Sequence, residues 1–502
     1  MYFSVNVTTF LDTNAIIWGE KKAVVFPKKG EEYTYRDLLS LTNSAANGLK
    51  ELGAKKGDRI GISLDNSPEF LIGYFAIWRI GAICVPINPN FKKEELLSIL
   101  RDAEVSLFIT NREVHDRIAD EIEDITVVTS FSKLLKNKKE FQAENCSLND
   151  VCSIQYTSGT TTTPKGAMLT HGNWLAAIEN EIWVLQLSEE DVYLGFYPMF
   201  HVGLSWGIAA LKAGATFVIM DRFELEEYLE LAEKYKATVL AGMPPVIHRL
   251  VNSPPGIEEK LRYAKVIISG GGPLAESIWK KFDERFKIPV ANAYGLSETI
   301  VVGTATSTTP RLPYTLNFKS VGVPIGYTEV KIVDENDPSK ELKPGEIGEV
   351  ALRGPGVAKG YWKRDEESKK VFLPDGWFLT GDMGYLDERG LLYITDRKKD
   401  MIIMSGWKIY PTEVENVILQ HPEVKDTAVF AREDEMRGEI PVAVVVLKEG
   451  SNVSKEEIIA FCRERLANYK VPRDVIFADS IPRVHGWKLL RRLLREKYAK
   501  GS

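Results

Sequence analysis

The sequence predicts an α/β fold: a large N-terminal domain of helix-covered sheets that includes a β-rich subdomain, followed by a small α+β C-terminal domain. Three observations lead there. Amphipathic stretches alternate with short β-branched runs from about Tyr33 to Asn252. Between Ser320 and Asp396 the chain turns to short strands punctuated by Gly and Pro. From about Lys399 a fresh set of strands and helices begins, behind the charged run DRKKD at Asp396 to Asp400. At 502 residues the chain also exceeds the roughly 100 to 200 typical of one domain. The boundaries read as 1–396 for the N-terminal domain, with 319–396 as its β-rich part, and 397–502 for the C-terminal domain.

Taken in order, TYRDLLSLTNSAANGLKELG spaces its apolar residues for a helix ending at Gly53, DRIGISL reads as a strand, PEFLIGYFAIWRIG as a helix and AICVPI as a strand. Such alternation places parallel strands side by side under a cover of helices. The pattern repeats in ATFVIM, the helical LEEYLELAEKY, ATVLAGMPP, and then AKVIISGGG with the helical PLAESIWKKFDERF. TEVKIVD, GEIGEVALRG and GLLYITD supply the short strands of the β-rich part. In the C-terminal domain, Thr412 with Glu415 and Ser454 with Glu457 form capping-box patterns, which start helices on either side of the strands DTAVFAR and PVAVVVLK.

Composition narrows the function classes. Apolar residues make up 44% and charged residues 27%, a globular balance too apolar for disorder. A net charge of −6 leaves no basic footprint for nucleic acid, although the basic run from Lys488 to Arg495 suits phosphates. Cys84, Cys146, Cys152 and Cys462 form no CxxC pair and no zinc-like spacing with the six histidines, so they read as buried free thiols in a reducing, cytoplasmic setting. The first 22 residues lack a basic segment followed by a long apolar one, the pattern of a secretion signal. The most apolar stretch, Phe70 to Ile87, is interrupted by Arg79 and meets Pro86, which predicts a buried helix and strand in place of a transmembrane segment.

The most informative run is YTSGTTTTPKG, Tyr156 to Gly166, between the strand-like SIQY and the helical NWLAAIENEIWVL. Hydroxyls at Thr157, Ser158, Thr160, Thr161, Thr162 and Thr163 donate to phosphate oxygens, Gly159 and Gly166 allow close backbone approach, and Lys165 adds charge. The P-loop pattern GxxxxGK followed by Ser or Thr is absent. On these residues alone a polyphosphate loop and a polar surface loop are equally open.

The run resembles the phosphate loop of the adenylate-forming (AMP-binding) superfamily, which includes acyl-CoA and aryl-CoA synthetases, firefly luciferase and nonribosomal peptide adenylation domains. The usual pattern is YTSGTTGxPKG, and Thr162 stands where that pattern has glycine, at a cost of about 1 kcal/mol if φ there is positive. Further motifs follow in the family's order and cover nearly the whole chain. YPMFHVG at Tyr197 to Gly203 is similar to the segment whose histidine lines the acyl pocket, which implies that role for His201, with Trp206 as pocket wall or core. SGGGPL resembles the glycine turn that borders adenine, here Gly270, Gly271 and Gly272, although any tight strand-to-helix turn produces such a run.

AYGLSET resembles the YGxTE motif, and its match includes Asn292, Ala293, Tyr294 and Gly295 in the nucleotide site. It implies that Tyr294 stacks on adenine, Ser297 contacts the α-phosphate and Glu298 holds Mg2+. WFLTGDMG gives Asp382 the ribose hydroxyls, and DRKKDMI gives Arg397 a ribose or phosphate contact and Lys399 the hinge of a mobile small domain. SGWKIYPTEVE is similar to the stretch that enters the site for thioester formation, with Gly406 and Trp407 beside the CoA channel. IPRVHGWKLLRRLLREKY resembles PKTxxGKxxRR, which places Lys488 at the catalytic lysine, with Trp487 where glycine is usual; read without the family it is a basic exposed helix face.

The resemblance implies a two-step enzyme. A carboxylic acid attacks the ATP α-phosphorus and expels pyrophosphate, with Lys488, Lys165, Glu298 and Mg2+ offsetting charge. CoA then attacks the acyl-adenylate and expels AMP after the small domain swings about Lys399. A medium- to long-chain fatty acid is the expected substrate. The alternatives are an aryl-CoA ligase of the 4-coumarate type, a carrier-protein-loading enzyme, a luciferase-like oxidative step and a non-catalytic adenylate-binding regulator. A homodimer is compatible with any of them.

Overall fold

The computed structural model describes residues 5–157, 164–300, 303–306, 317–484, 488–489 and 491–498. Among them the chain forms a large N-terminal domain of sheets and helices, a β-rich subdomain and a small C-terminal domain. One sheet of six strands runs in the order Thr126–Val128, Leu107–Thr110, Arg59–Ser63, Ile83–Pro86, Val151–Thr157 and Lys165–Thr170. Its strands are parallel except for the last pair, an antiparallel hairpin. A second sheet of nine carries Val290–Tyr294, Val266–Ser269, Val239–Ala241, Val192–Gly195, Thr216–Ile219 and Lys22–Phe26 side by side and parallel, with antiparallel strands at both edges.

The expected helices form where apolar spacing and caps coincide. Tyr35–Glu51 starts on a capping box between Thr34 and Asp37 and buries Leu38, Ala45 and Leu49. Pro68–Arg79 takes its N-cap from Ser67 and is buried along its whole length, as its nearly continuous apolar sequence dictates. Its Arg79 is 1% exposed and forms a bidentate pair with Asp12 at 2.6 and 2.9 Å, so a charge inside an apolar stretch is an internal ion pair. The helices at Leu225–Lys234, Glu276–Phe286 and His171–Leu185 complete the cover. All four cysteines are buried and free.

The β-rich subdomain is an antiparallel meander of Glu329–Val333, Gly348–Arg353, Phe378–Leu386 and Leu392–Arg397. Beyond it the small domain closes a separate core from Ile402 to Leu494, around the long hairpin Val424–Asp434 with Gly438–Leu447. Strand Asp474–Phe477 adds to that hairpin in parallel. Among the described residues, no helix is long and apolar enough to cross a membrane.

One strand was not read from the sequence, and two local readings differ from the structure. Between the phosphate-loop run and the expected helix, now seen at His171–Leu185, Lys165–Thr170 adds an unread strand that folds back on Val151–Thr157, with Thr157 opposite Lys165. Thr412 and Glu415 do not form a capping box, because the helix Pro411–Ile418 has Tyr410 at its N-cap with no side-chain bond and Glu415 turns inward to Arg491. The basic C-terminal run is not one helix face, since Lys488 lies on a short strand and the helix begins at Arg491. The capping box of Ser454 and Glu457 is present.

Candidate active site

The carboxyl ends of parallel strands leave backbone groups and turns facing a common crevice, the usual seat of a ligand in such sheets. Here the adjacent strands Val266–Ser269 and Val290–Tyr294 end there side by side, with Ser269 opposite Asn292. Gly270 follows directly, and a Cβ on it would stand 3.1 Å from the Ala293 carbonyl oxygen. Gly271 has φ of +75° and, like Gly272, is exposed. The glycine run therefore makes an open turn against Ala293 with room above it. Asn292 is 5% exposed and its amide donates to the Ser320 carbonyl, so its side chain braces the strand.

Tyr294 closes the strand, and its hydroxyl donates to Asp382 Oδ2 at 2.8 Å. Asp382 lies opposite Arg397 in the meander, and the guanidinium sits 3.3 Å from Oδ1. Burial raises the Asp382 carboxyl above the usual carboxylate range, with Arg397 opposing that shift. Gly295 is half-buried, and the chain then turns through the short 3-10 helix Ser297–Thr299, which buries Glu298 and leaves Ser297 half-buried. Ile300, just beyond, holds φ at 46°, a left-handed conformation that a β-branched residue takes only under local strain.

Glu298 was singled out by motif, but its main partner was not. Its Oε1 accepts from the Tyr361 hydroxyl at 2.9 Å, and its carbonyl accepts from the Ala358 N–H at 2.7 Å. Lys359 to Trp362 pairs with the strand Lys165–Thr170, through Met168 and Gly166, which brings the Tyr361 ring under Lys165. Lys165 Nζ stands 5.3 Å from that ring's centre and 2.5 Å from Glu367 Oε2. Lys165, Tyr361 and Glu298 thus form one chain of contacts from the phosphate-loop hairpin to the buried carboxylate. Burial raises the Glu298 carboxyl as well, and Arg397 and Asp382 both act on it. Nothing in GVAKGYWKR at 356–364 matches a motif read from the sequence; the signal is only an aromatic pair between a glycine and basic residues.

His201 is half-buried ahead of the 3-10 turn Val202–Leu204. Its segment is held by two buried amides absent from the sequence reading. Asn66 accepts from Met199 N–H and donates to the carbonyls of Phe196, Tyr197 and Met220, and Gln155 donates to the Phe200 carbonyl. Trp206 is 2% exposed and belongs to the core. Beside it Ser205 donates to the fully buried Glu181 at 2.5 Å. Behind the segment Phe196, Phe223 and Tyr228 pack ring to ring at 5.1 to 5.9 Å, and the Tyr197 hydroxyl accepts from Gly242 N–H at 3.3 Å.

Lys399 follows Arg397 against the same site. Burial and the neighbouring guanidinium push its ammonium down to about 8, while Asp400 and Asp382 oppose the shift. Ser405 and Gly406 both have positive φ, 50° and 85°, and form a two-residue hairpin turn between Met404 and Trp407. Trp407 stacks on Tyr469, both in the small domain, at 4.9 Å. Lys488 lies opposite Val484 in a short hairpin, and the Arg483 at its base pairs with Asp426. Ser158, Gly159, Thr160, Thr161, Thr162, Thr163 and Trp487 lie outside the described residues, as do the side chains of Thr157 and Lys488.

A magnesium ion fits this donor set as a companion of phosphate. Glu298 offers one hard carboxylate beside the hydroxyls of Ser297 and Thr299, and Mg2+ is ordinarily held by one or two carboxylates plus substrate phosphates. Among the described residues no group of three or more His, Cys, Asp or Glu gathers as a cage for a metal.

Comparison with known proteins identifies the family. The model of the AMP-binding enzyme family matches residues 11–362, and that of the AMP-binding enzyme C-terminal domain matches 413–486. A crotonobetaine/carnitine–CoA ligase of Escherichia fergusonii is 33% identical, with 96% of this chain and 98% of that protein covered. ATP-bound MatB from Rhodopseudomonas palustris superposes with a TM-score of 0.91 at 30% identity over 99% of both chains, and the apo form of MatB with 0.80. The o-succinylbenzoate CoA synthetase MenE of Bacillus subtilis, in complex with its acyl-adenylate OSB-AMP, superposes at 0.85, with 30% identity over 97% of each chain.

Proposed function

The chain belongs to the AMP-binding enzyme family and is an AMP-forming acid–thiol ligase, and from that premise we propose that it joins a compact carboxylic acid to CoA through an acyl-adenylate. The observation that carries the site is that Tyr294, Asp382 and Arg397 form one chain of contacts and Glu298, Tyr361 and Lys165 another, linked where Arg397 and Asp382 act on Glu298. In this reading the Asp382 carboxylate receives the ribose hydroxyls, and the Tyr294 ring and the turn Gly270 to Gly272 flank the adenine. Lys165 and the hydroxyl run from Thr157 to Thr163 hold the departing pyrophosphate.

The acid's carboxylate oxygen bonds to the α-phosphorus as the bond to pyrophosphate breaks. Glu298 would hold Mg2+, an ion that a solved structure of MenE contains together with ATP, and the ion would offset phosphate charge. Lys488 neutralises charge shared between carboxylate and α-phosphate, and Ser297 donates to that phosphate. In the second step the CoA sulfur attacks the acyl carbon and AMP leaves. We assign Lys399 as the hinge and Gly406 with Trp407 as the face that meets CoA.

The choice of a compact acid departs from the fatty-acid expectation. The relatives named above carry crotonobetaine, carnitine and o-succinylbenzoate in their names, and none carries a fatty acid. The packed rings behind His201 agree with a short pocket. Release of AMP in the presence of CoA, across trimethylammonium, dicarboxylic, aromatic and fatty acids, tests this. Fastest turnover with a compact polar or aromatic acid supports it, and fastest turnover with a long fatty acid overturns the substrate assignment.

A further inference from the structure

Asp396 lies on the large-domain side of Lys399, in the strand Leu392–Arg397, paired with Met383 of the next strand. Its carboxylate is nevertheless held from the small domain. Oδ2 accepts from the Thr412 N–H at 2.8 Å, at the start of the helix Pro411–Ile418, and Oδ1 stands 3.5 Å from Arg491 Nη1. Arg491 is fixed inside the small domain, where Nη2 donates to Glu415 at 2.8 and 3.0 Å and Nε to the Val429 carbonyl at 2.9 Å. The side chains of Asp396 and Arg491 are 2% and 9% exposed, so water does not replace these bonds cheaply. Lys408 of the small domain makes a second bridge, to Glu335 of the meander's first turn.

Arg491 also stands three residues after Lys488, a separation that spans at most about 10 Å of chain. The base of the Lys488 hairpin faces the large domain as well, where His248, on the helix Pro244–Val251, lies within electrostatic reach of Asp426 and Arg483. A rotation about Lys399 would carry Thr412 and Arg491 away from Asp396, because the small domain has a core of its own.

We propose that Asp396 is a positioning residue, a buried latch that spans the hinge and holds the Lys488 hairpin in the arrangement seen here, so that adenylation needs the latch closed and CoA attack needs it open. This rests on the two-step reading above. The test measures the two half-reactions separately in Asp396→Asn: acid-dependent pyrophosphate exchange, and AMP release from supplied acyl-adenylate with CoA.

Exchange is expected to fall about tenfold, within the usual range of coupling between conformational states, while CoA attack is unchanged or faster. An equal loss in both, or a change in neither, overturns the proposal. Lys408→Gln, which removes the second bridge at its half-exposed lysine, is expected to move the same ratio in the same direction, and its failure to do so counts equally against the latch.

A dye pair on cysteines introduced at exposed Leu148 and Met436 reports domain orientation without catalysis; the native cysteines are buried. Energy transfer that differs between wild type and Asp396→Asn supports the latch, and identical transfer overturns it. If wild type turns over no acid, the proposed function fails while the dye pair still judges the latch.

Discussion

Tyr294 and Lys399 show what single residues do in this site. The Tyr294 hydroxyl is one of two groups that hold the buried Asp382 carboxylate, the other being Arg397. Tyr294→Phe leaves the ring and removes that bond, so the KM for ATP is expected to rise about tenfold with kcat within about twofold, measured under acid and CoA saturation. Lys399 titrates near 8, below its ordinary 10.5, because burial and Arg397 disfavour the ammonium. From about pH 8 to 10.5 the unfolded chain therefore binds the proton that the folded one has released, and stability contributed by this residue rises with pH across that window; below it both states are charged and the cost is constant. Denaturant midpoints of wild type relative to Lys399→Met are expected to climb between those limits, and parallel curves contradict the assignment.

At the scale of elements, the hairpin Val151–Thr157 with Lys165–Thr170 shows how far the sequence could be read. Its motif was visible, because hydroxyls, glycine and lysine were written together. The return strand was not, because KGAMLT lacks the β-branched density of its neighbours and gains its strand from pairing with Tyr156 and Gly360. Gly166 is set by that pairing. A Cβ there would lie 2.5 Å from Ile154 Cγ2 and 3.1 Å from the Tyr156 ring, so Gly166→Ala is expected to cost about 1 to 3 kcal/mol in thermal or denaturant unfolding and to slow pyrophosphate exchange. Helices fared better than long-range partners. The spacing of TYRDLLSLTNSAANGLKELG was enough to place Tyr35–Glu51, whereas Tyr361, Asn66 and Glu181 acquire meaning only from segments more than 20 residues away. Glu415 illustrates the same limit: its local capping pattern lost to a buried guanidinium 76 residues on.

For the whole molecule, the two domains with separate cores and the bonds between Asp396 and the small domain fit the proposal of one arrangement for each half of the reaction. Lys488→Ala is expected to abolish acid-dependent pyrophosphate exchange and to spare CoA attack on a supplied acyl-adenylate; loss of both speaks against the assignment of Lys488 to the first step. The order of motifs along the chain was enough to foresee the fold class and the family, because backbone turns and charged groups are local. The contacts that hold the His201 segment were not legible, since Asn66, Gln155 and Gly242 reach it only in three dimensions. The central claim is acid activation for thioester formation at this site, and the direct measurement is AMP release by the full chain with ATP, Mg2+ and CoA across the acid panel. The account predicts AMP and acyl-CoA in equal amounts with a compact polar or aromatic acid. ATP binding without AMP release for any acid would contradict it.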